Sequence, residues 1–183
     1  MKKILMIVGS LREQSFNRQL AEKAAEMMAG RAEVTYLNYA DVPFMNQDME
    51  FPVPEPVARV RNEVMEADGI WIFTPEYNSS YPGVLKNLLD WLSRPLEAGN
   101  FQKGTAVSGK KATISGAGGK AATLGAREKL LELLQFIRMS PMETTGTGVA
   151  AGKAFMTNVL ELSEETVQTL QHQVEEFLKY IEA

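Results

Sequence analysis

The chain has 183 residues, the length of one domain, and its 45% hydrophobic and 23% charged residues are typical of a globular protein with a sizeable core. A net charge of −4 excludes a positive field for nucleic acid or anionic membrane, and the absence of cysteine excludes disulfides and zinc–thiolate sites. The sequence contains no run of about 18 apolar residues, so no membrane span is predicted. We therefore expect a single cytoplasmic domain over residues 1–183.

Apolar runs predict five strands in chain order. The first run is continuously apolar and ends at Gly9, which is typical of a strand buried on both faces of a parallel sheet. The predicted strands are residues 3–8, 33–37, 69–74, 111–115 and 142–149.

Apolar stripes at helical spacing predict helices between these strands. Gly30 is expected to end the first helix, and Ser163 is expected to cap the last one. The helical stripes lie at residues 20–28, 57–67, 82–92, 124–137 and 167–181, and the predicted loops and turns lie at 41–56, 75–80, 96–108 and 116–120.

Strands that alternate with helices predict right-handed parallel βαβ units, and hence an open, doubly wound α/β sheet with helices on both faces. Such sheets bind ligands beyond the carboxyl ends of their strands, near the point where the strand order reverses. The loops after the first, third and fourth strands are therefore the candidate binding loops.

The first candidate loop joins a buried strand to the start of a helix. A helix start presents unpaired N–H groups and partial positive charge, which suit a phosphate group. Ser10, Ser15 and Asn17 add neutral donors, and Arg12 adds a charged one. The alternative is that Ser15 only caps the helix and Arg12 is only a solvated charge.

The second and third candidate loops suit a flat aromatic ring. Pro75, Tyr77 and Tyr81 offer apolar surface, and Asn78 with the loop amides offers hydrogen bonds to the polar edge of an isoalloxazine ring; the alternative is an ordinary turn. In the third loop, residues 115–119, three glycines let the backbone approach a ligand closely, and its N–H groups suit the charge that develops near flavin N1 and O2.

Two segments together resemble the NADPH-dependent FMN reductase family of flavodoxin-like proteins. They are Gly9-Ser10-Leu11-Arg12…Ser15…Asn17-Arg18 and Pro75-Glu76-Tyr77-Asn78…Tyr81-Pro82-Gly83…Lys86-Asn87…Asp90-Trp91. The resemblance implies a flavodoxin-like, five-stranded parallel sheet in the order 2-1-3-4-5 with FMN as cofactor. The implied cofactor-binding residues are Ser10, Arg12, Ser15, Phe16, Asn17, Pro75, Glu76, Tyr77, Asn78, Ser115 and Gly116.

The resemblance also implies the activity. NADPH or NADH would pass hydride to flavin N5 and leave, and a quinone, azo compound, chromate or free flavin would then take the electrons, in a ping-pong order. The flavin carries this chemistry, so no catalytic acid or base is expected, and His172, the single histidine, is expected to be structural. Glu76 is expected to orient the ring loop or to contact a second subunit, because the resemblance implies a homodimer or a dimer of dimers.

Two other function classes compete with the reductase. A non-enzymatic FMN electron carrier of flavodoxin type is disfavoured because 23 acidic residues against 19 basic ones give no dense acidic docking surface. A regulatory or scaffold domain without flavin is disfavoured because Arg12, both loop hydroxyls and the Pro75 to Asn78 segment are all present.

Overall fold

The computed structural model describes residues 1–183. The strands are β1 (Lys2–Val8), β2 (Ala32–Tyr36), β3 (Gly69–Phe73), β4 (Lys111–Gly118), β5 (Ser140–Pro141) and β6 (Gly148–Ala150). The helices are α1 (Phe16–Met27), α2 (Glu55–Glu66), α3 (Gly83–Leu92), α4 (Leu124–Phe136), α5 (Ala154–Thr157) and α6 (Glu164–Glu182). None of these helices combines the length and apolar character needed to cross a lipid bilayer.

The sheet has the strand order β2-β1-β3-β4-β5, with every pair parallel, and β6 pairs with the last residues of β4. This confirms the predicted flavodoxin-like order. The order reverses between β1 and β3, so the loops that follow these two strands lie side by side at the carboxyl edge of the sheet.

Two apolar layers hold the helices on the sheet. Along β1, Leu5 and Ile7 pack in the layer formed with α2, α3 and α4, whereas Ile4 and Met6 pack in the layer formed with α1 and α6. The same alternation occurs in β3. Burial on both faces explains why these strands are continuously apolar in sequence.

The prediction of one last strand over residues 142–149 was wrong over most of its length, because only Gly148 and Val149 of this range lie in a strand, β6. In this part of the chain, only residues 140–141 (β5) and 148–150 (β6) pair with β4, and the chain between them leaves the sheet. Gly146 has a left-handed φ of 63°, and the N–H of Thr147 donates to the side chain of Gln173 rather than to a strand. A distant glutamine thus replaces the sheet partner that the local pattern suggested.

The predicted turn over residues 116–120 was also wrong in part, because β4 continues through Gly118 and pairs there with β6. Glycine usually marks a turn, but here it permits close packing. A Cβ atom at Gly116 would lie 2.1 Å from Thr123 Oγ1 and 2.5 Å from the carbonyl oxygen of Thr74. These glycines are therefore strand residues beneath the start of α4.

Candidate active site

The three candidate loops meet in one cleft at the carboxyl edge of the sheet. The cleft has a volume of about 130 Å³. Its lining residues are Ser10, Arg12, Ser15, Phe16, Asn17, Pro75, Glu76, Tyr77, Ala117, Gly118, Gly119 and Phe155. Most of the predicted binding residues therefore lie together, whereas Asn78, Ser115 and Gly116 lie outside this lining.

The loop after β1 presents a row of free donors. Ser15 caps α1, and its Oγ accepts the N–H of Arg18 at 3.3 Å, which leaves the hydroxyl proton available. No hydrogen bond within the chain uses the N–H groups of residues 13–17, although Ser15, Phe16 and Asn17 are buried. Buried N–H groups rarely lack a partner, and at a helix start they favour an anion. This donor set fits the phosphate of FMN.

Arg12 lies at the mouth of the same loop. Its guanidinium is 4.7 Å from the ring centroid of Phe16, Nε donates to the carbonyl of Gln14 at 3.1 Å, and Nη2 donates to Asn158 Oδ1 at 2.9 Å. These partners are neutral, so the positive charge of Arg12 is not compensated by a carboxylate. An exposed, uncompensated guanidinium beside free N–H groups is well suited to a phosphate monoester.

Asn17 joins the first loop to the third. Its Nδ2 donates to the carbonyl of Ala117 at 2.9 Å, and its Oδ1 accepts the N–H of Ala117 at 2.9 Å. Both ends of the amide are thus used within the protein. Besides lining the cleft, Asn17 fixes the distance between the phosphate loop and the end of β4.

The ring loop after β3 is a tight turn. Tyr77 and Ser80 exchange backbone hydrogen bonds of 2.8 and 3.1 Å around Asn78 and Ser79, whose φ angles are 52° and 56°. Two successive left-handed residues define a type I′ turn, and asparagine tolerates this conformation better than most residues. The backbone thus accounts for the residue type at Asn78.

Two contacts anchor the ring loop to α4. Glu76 Oε2 accepts the N–H of Ala126 at 2.9 Å in the first turn of α4, and Lys129 Nζ donates to the carbonyl of Ser79 at 2.6 Å. The carboxylate of Glu76 therefore stabilises the helix start, where negative charge is favourable. Of the two roles expected for Glu76, the observed contacts match orientation of the loop.

Ser115 and Gly116 lie within β4, behind the cleft wall. Ser115 is fully buried, and its Oγ accepts from Trp71 Nε1 at 3.1 Å and donates to Gln173 Oε1 at 3.0 Å. The wall is formed further along the chain, at Ala117, Gly118 and Gly119. Sequence reasoning ended the strand at Ser115, whereas β4 continues to Gly118. Contact of Ser115 and Gly116 with the cofactor stays a prediction.

Sequence reasoning also missed Phe155 and Arg127. Phe155 lines the cleft from α5, a helix of four residues without a periodic pattern. Arg127 is buried and donates to the carbonyls of Thr145 and Gly146, both at 2.7 Å, so it holds the chain that leads to β6. Burial lowers the pKa of Arg127 from its ordinary value.

Together, the free donors at the start of α1, the tight turn after β3 and the glycine wall at the carboxyl edge fit a flavodoxin-like flavin mononucleotide protein. Comparison with known proteins narrows this class. The chain belongs to the NADPH-dependent FMN reductase family, whose sequence model matches residues 2–154. It is accordingly an oxidoreductase with FMN as cofactor and a nicotinamide nucleotide as electron donor.

Individual relatives agree with this assignment. A quinone reductase of Pseudomonas putida is 31% identical over 180 residues, which cover 97% of this chain and 94% of that protein. A 2-hydroxy-1,4-benzoquinone reductase of Burkholderia sp. is 44% identical over 93 residues, 51% of each chain. The flavoenzyme NAD(P)H:(acceptor) oxidoreductase of Paracoccus denitrificans superposes with a TM-score of 0.83 at 31% identity, over 100% of this chain and 98% of that one.

Proposed function

We propose that this protein reduces small quinones with NAD(P)H, and that donor and acceptor bind in turn at one open face of the FMN. The observation that carries the proposal is the asymmetry of the cleft. Its phosphate end is walled by buried Ser15, Phe16 and Asn17, whereas its ring end borders Tyr77, which is 56% exposed. One open face suits two flat substrates that bind alternately rather than together.

The residues of the cleft bind and orient rather than move protons. The N–H groups of residues 13–17 and the guanidinium of Arg12 would hold the phosphate, and Pro75 and Tyr77 would seat the ring. FMN, when bound, supplies the two-electron chemistry between donor and acceptor. Glu76 is the only carboxylate that lines the cleft, and it is engaged with the start of α4.

His172 is not part of this proposed chemistry. It lies on α6 and borders a different cavity, beside Thr144 and Thr169. Replacement of His172 by glutamine is therefore expected to leave the rate of quinone reduction unchanged. A large loss in kcat for this variant would indicate that His172 takes part in catalysis, and it would contradict the proposal.

The decisive experiment mixes FMN-loaded protein anaerobically with NADPH, and separately with NADH, and follows the oxidised-flavin absorbance band. We expect rapid bleaching with at least one donor and full recovery when 1,4-benzoquinone is added. Parallel double-reciprocal plots at several fixed quinone concentrations would support the alternating order, and intersecting plots would contradict it. Bound FMN that neither donor bleaches would instead support the electron carrier.

We further propose that the active form is a homodimer. Tyr77 and Leu124 are 56% and 44% exposed, and they belong to the ring loop and to the helix start that anchors it. Large apolar side chains in one exposed region suit a second subunit. Light scattering after gel filtration tests this, with Leu124→Glu expected to lower the measured mass; a wild-type chain that elutes with the mass of one subunit contradicts the dimer, and four subunits would indicate a dimer of dimers.

A further inference from the structure

Residues 152–159, here called the strap, cross over the phosphate end of the cleft. The strap contains α5, which is flanked by two left-handed residues, Gly152 with a φ of 41° and Asn158 with a φ of 60°. The stretch that matches the family ends at Ala154. Phe155 and Asn158 therefore lie just beyond the part of the chain that defines the family.

The strap contacts the phosphate loop through two side chains. The ring of Phe155 meets the ring of Phe16 edge to face, with centroids 5.2 Å apart, and it lines the cleft. Asn158 accepts a hydrogen bond from Arg12 through Oδ1, and its carbonyl accepts one from Gln19 Nε2, both at 2.9 Å. The same residues that would hold a phosphate thus also hold the strap.

The middle of the strap is exposed, whereas Ala154 anchors its start. Phe155 is 60% exposed and Met156 is 81% exposed, so neither is fixed by the core. The strap is attached by the contact between the two phenylalanines, by hydrogen bonds with Arg12 and Gln19, and by Ala154, which is 3% exposed and packs in the layer formed with α1 and α6. An exposed segment next to left-handed residues has the features of one that opens locally without disturbing the core.

The enclosed part of the cleft is small while the strap lies over it. Sites that enclose small molecules and cofactors usually have about 300–1,000 Å³. With Phe155 over the phosphate loop, the cleft has only about 130 Å³. Asn17 ties the start of α1 to the end of β4, and Glu76 ties the loop after β3 to α4, whereas the side chain with which the strap lines the cleft, Phe155, is exposed.

We propose that Phe155 and Asn158 are residues of the FMN site and that the strap controls how long FMN stays bound. The inference rests on the proposed FMN site and goes beyond the choice of acceptor. Phe155 covers the phosphate end and slows release. Asn158 holds Arg12 by a neutral hydrogen bond that the phosphate replaces, so the amide competes with FMN for the guanidinium.

The two residues are tested separately because opposite effects are expected. Replacement of Phe155 by alanine removes an aromatic contact and should raise the rate of FMN release about tenfold. Replacement of Asn158 by glycine removes the amide but keeps the left-handed backbone, and freeing Arg12 should tighten FMN binding about fivefold. In the Arg12→Ala background, Asn158→Gly should have no further effect on FMN affinity.

Met156→Ala is the matched control, because Met156 lies on the same short helix but does not line the cleft. FMN fluorescence gives the dissociation constant by titration and the release rate by rapid dilution, and circular dichroism checks folding. Equal release rates for Phe155→Ala and Met156→Ala would overturn the inference. If the wild-type protein binds no FMN, the proposed function and the inference both fail; if FMN binds but NAD(P)H does not reduce it, only the proposed function fails.

Discussion

The two edges of the sheet differ in whether their polar groups have hydrogen-bond partners within the chain. At the amino edge, Asp68 Oδ2 accepts the N–H of Lys3 at 2.7 Å, and Lys110 Nζ donates to the carbonyl of Ala67 at 2.7 Å. At the carboxyl edge, five consecutive N–H groups, at residues 13–17, have no acceptor in the chain. These polar groups at the amino edge are satisfied within the chain, whereas the carboxyl edge leaves donors available to a ligand.

Glycines show the same contrast. A Cβ atom at Gly69, at the amino edge, would lie 2.8 Å from the side chain of Ile181 and 2.9 Å from that of Phe177. At Gly116, near the carboxyl edge, it would lie 2.5 Å from a backbone oxygen. Side chains adjust more easily than backbone, so the carboxyl edge is the less tolerant of the two. The close packing at Gly116 therefore shapes the cleft as well as the core.

The largest effect is expected for Gly116→Ala. The new methyl group would push apart β4 and the residues before α4, and overpacking of this kind costs about 1–3 kcal/mol. We expect a lower free energy of unfolding and a loss of FMN affinity, measured by denaturant titration and flavin fluorescence. Gly69→Ala should lower stability but keep FMN affinity, and Gly83→Ala, which meets no atom within 4 Å, is the neutral control. Loss of FMN binding in Gly69→Ala would contradict the idea that only the carboxyl edge shapes the FMN site.

Arg12→Ala is expected to have the next largest effect. A hydrogen bond from a charged group is worth about 1.5–3 kcal/mol, so the FMN dissociation constant should rise about tenfold to a hundredfold. Arg18→Ala is a close control, because its guanidinium lies 3.7 Å from the ring centroid of Tyr36 and pairs with Glu22. Equal FMN affinity in the Arg12 variant and the wild type would remove Arg12 from the phosphate site.

The sequence was sufficient to predict the first four strands and the position of the cleft. The first and third strands are buried on both faces, so their apolar runs identify them without tertiary information. Once these strands are placed, the parallel topology brings Ser10 and Pro75 to one edge. The residues of the first two loops follow from this placement.

The rest depends on contacts between residues far apart in sequence. Gln173 satisfies Thr147 N and Ser115 Oγ from α6, and Arg127 holds the carbonyls of Thr145 and Gly146. No local pattern near residues 142–149 indicates these partners. For the same reason, the strap was missed, since its position is set by Arg12 and Gln19 rather than by its own periodicity.

A smaller effect is expected when the anchor of the ring loop is removed. Glu76→Ala deletes the acceptor at the start of α4, and loss of such a cap costs about 0.5–2 kcal/mol. We expect a lower free energy of unfolding and a severalfold weaker FMN affinity. Glu76→Gln keeps an oxygen acceptor for Ala126 N and should recover most of both quantities. If alanine and glutamine behave alike, the negative charge rather than the hydrogen bond is the relevant property.

The smallest effect is expected at the amino edge, in the pH dependence of stability. The N–H of Lys3 and the nearby charge of Lys2 hold the pKa of Asp68 below its ordinary value. Asp68 therefore stabilises the fold above its unfolded-state pKa, near 4, and this contribution is lost as pH falls through the lower folded-state pKa. Asp68→Asn should make the free energy of unfolding less dependent on pH below about 4.

Because Asp68 is distant from the cleft, its variant should bind FMN with wild-type affinity at neutral pH. Denaturant titrations from neutral to acidic pH, paired with FMN titrations, measure both properties on the same samples. A pH slope equal to that of the wild type would mean that Asp68 titrates normally in the folded state. A weakened FMN affinity would be the more consequential result, because it would show that the amino edge contributes to the cleft and that the two edges are not independent.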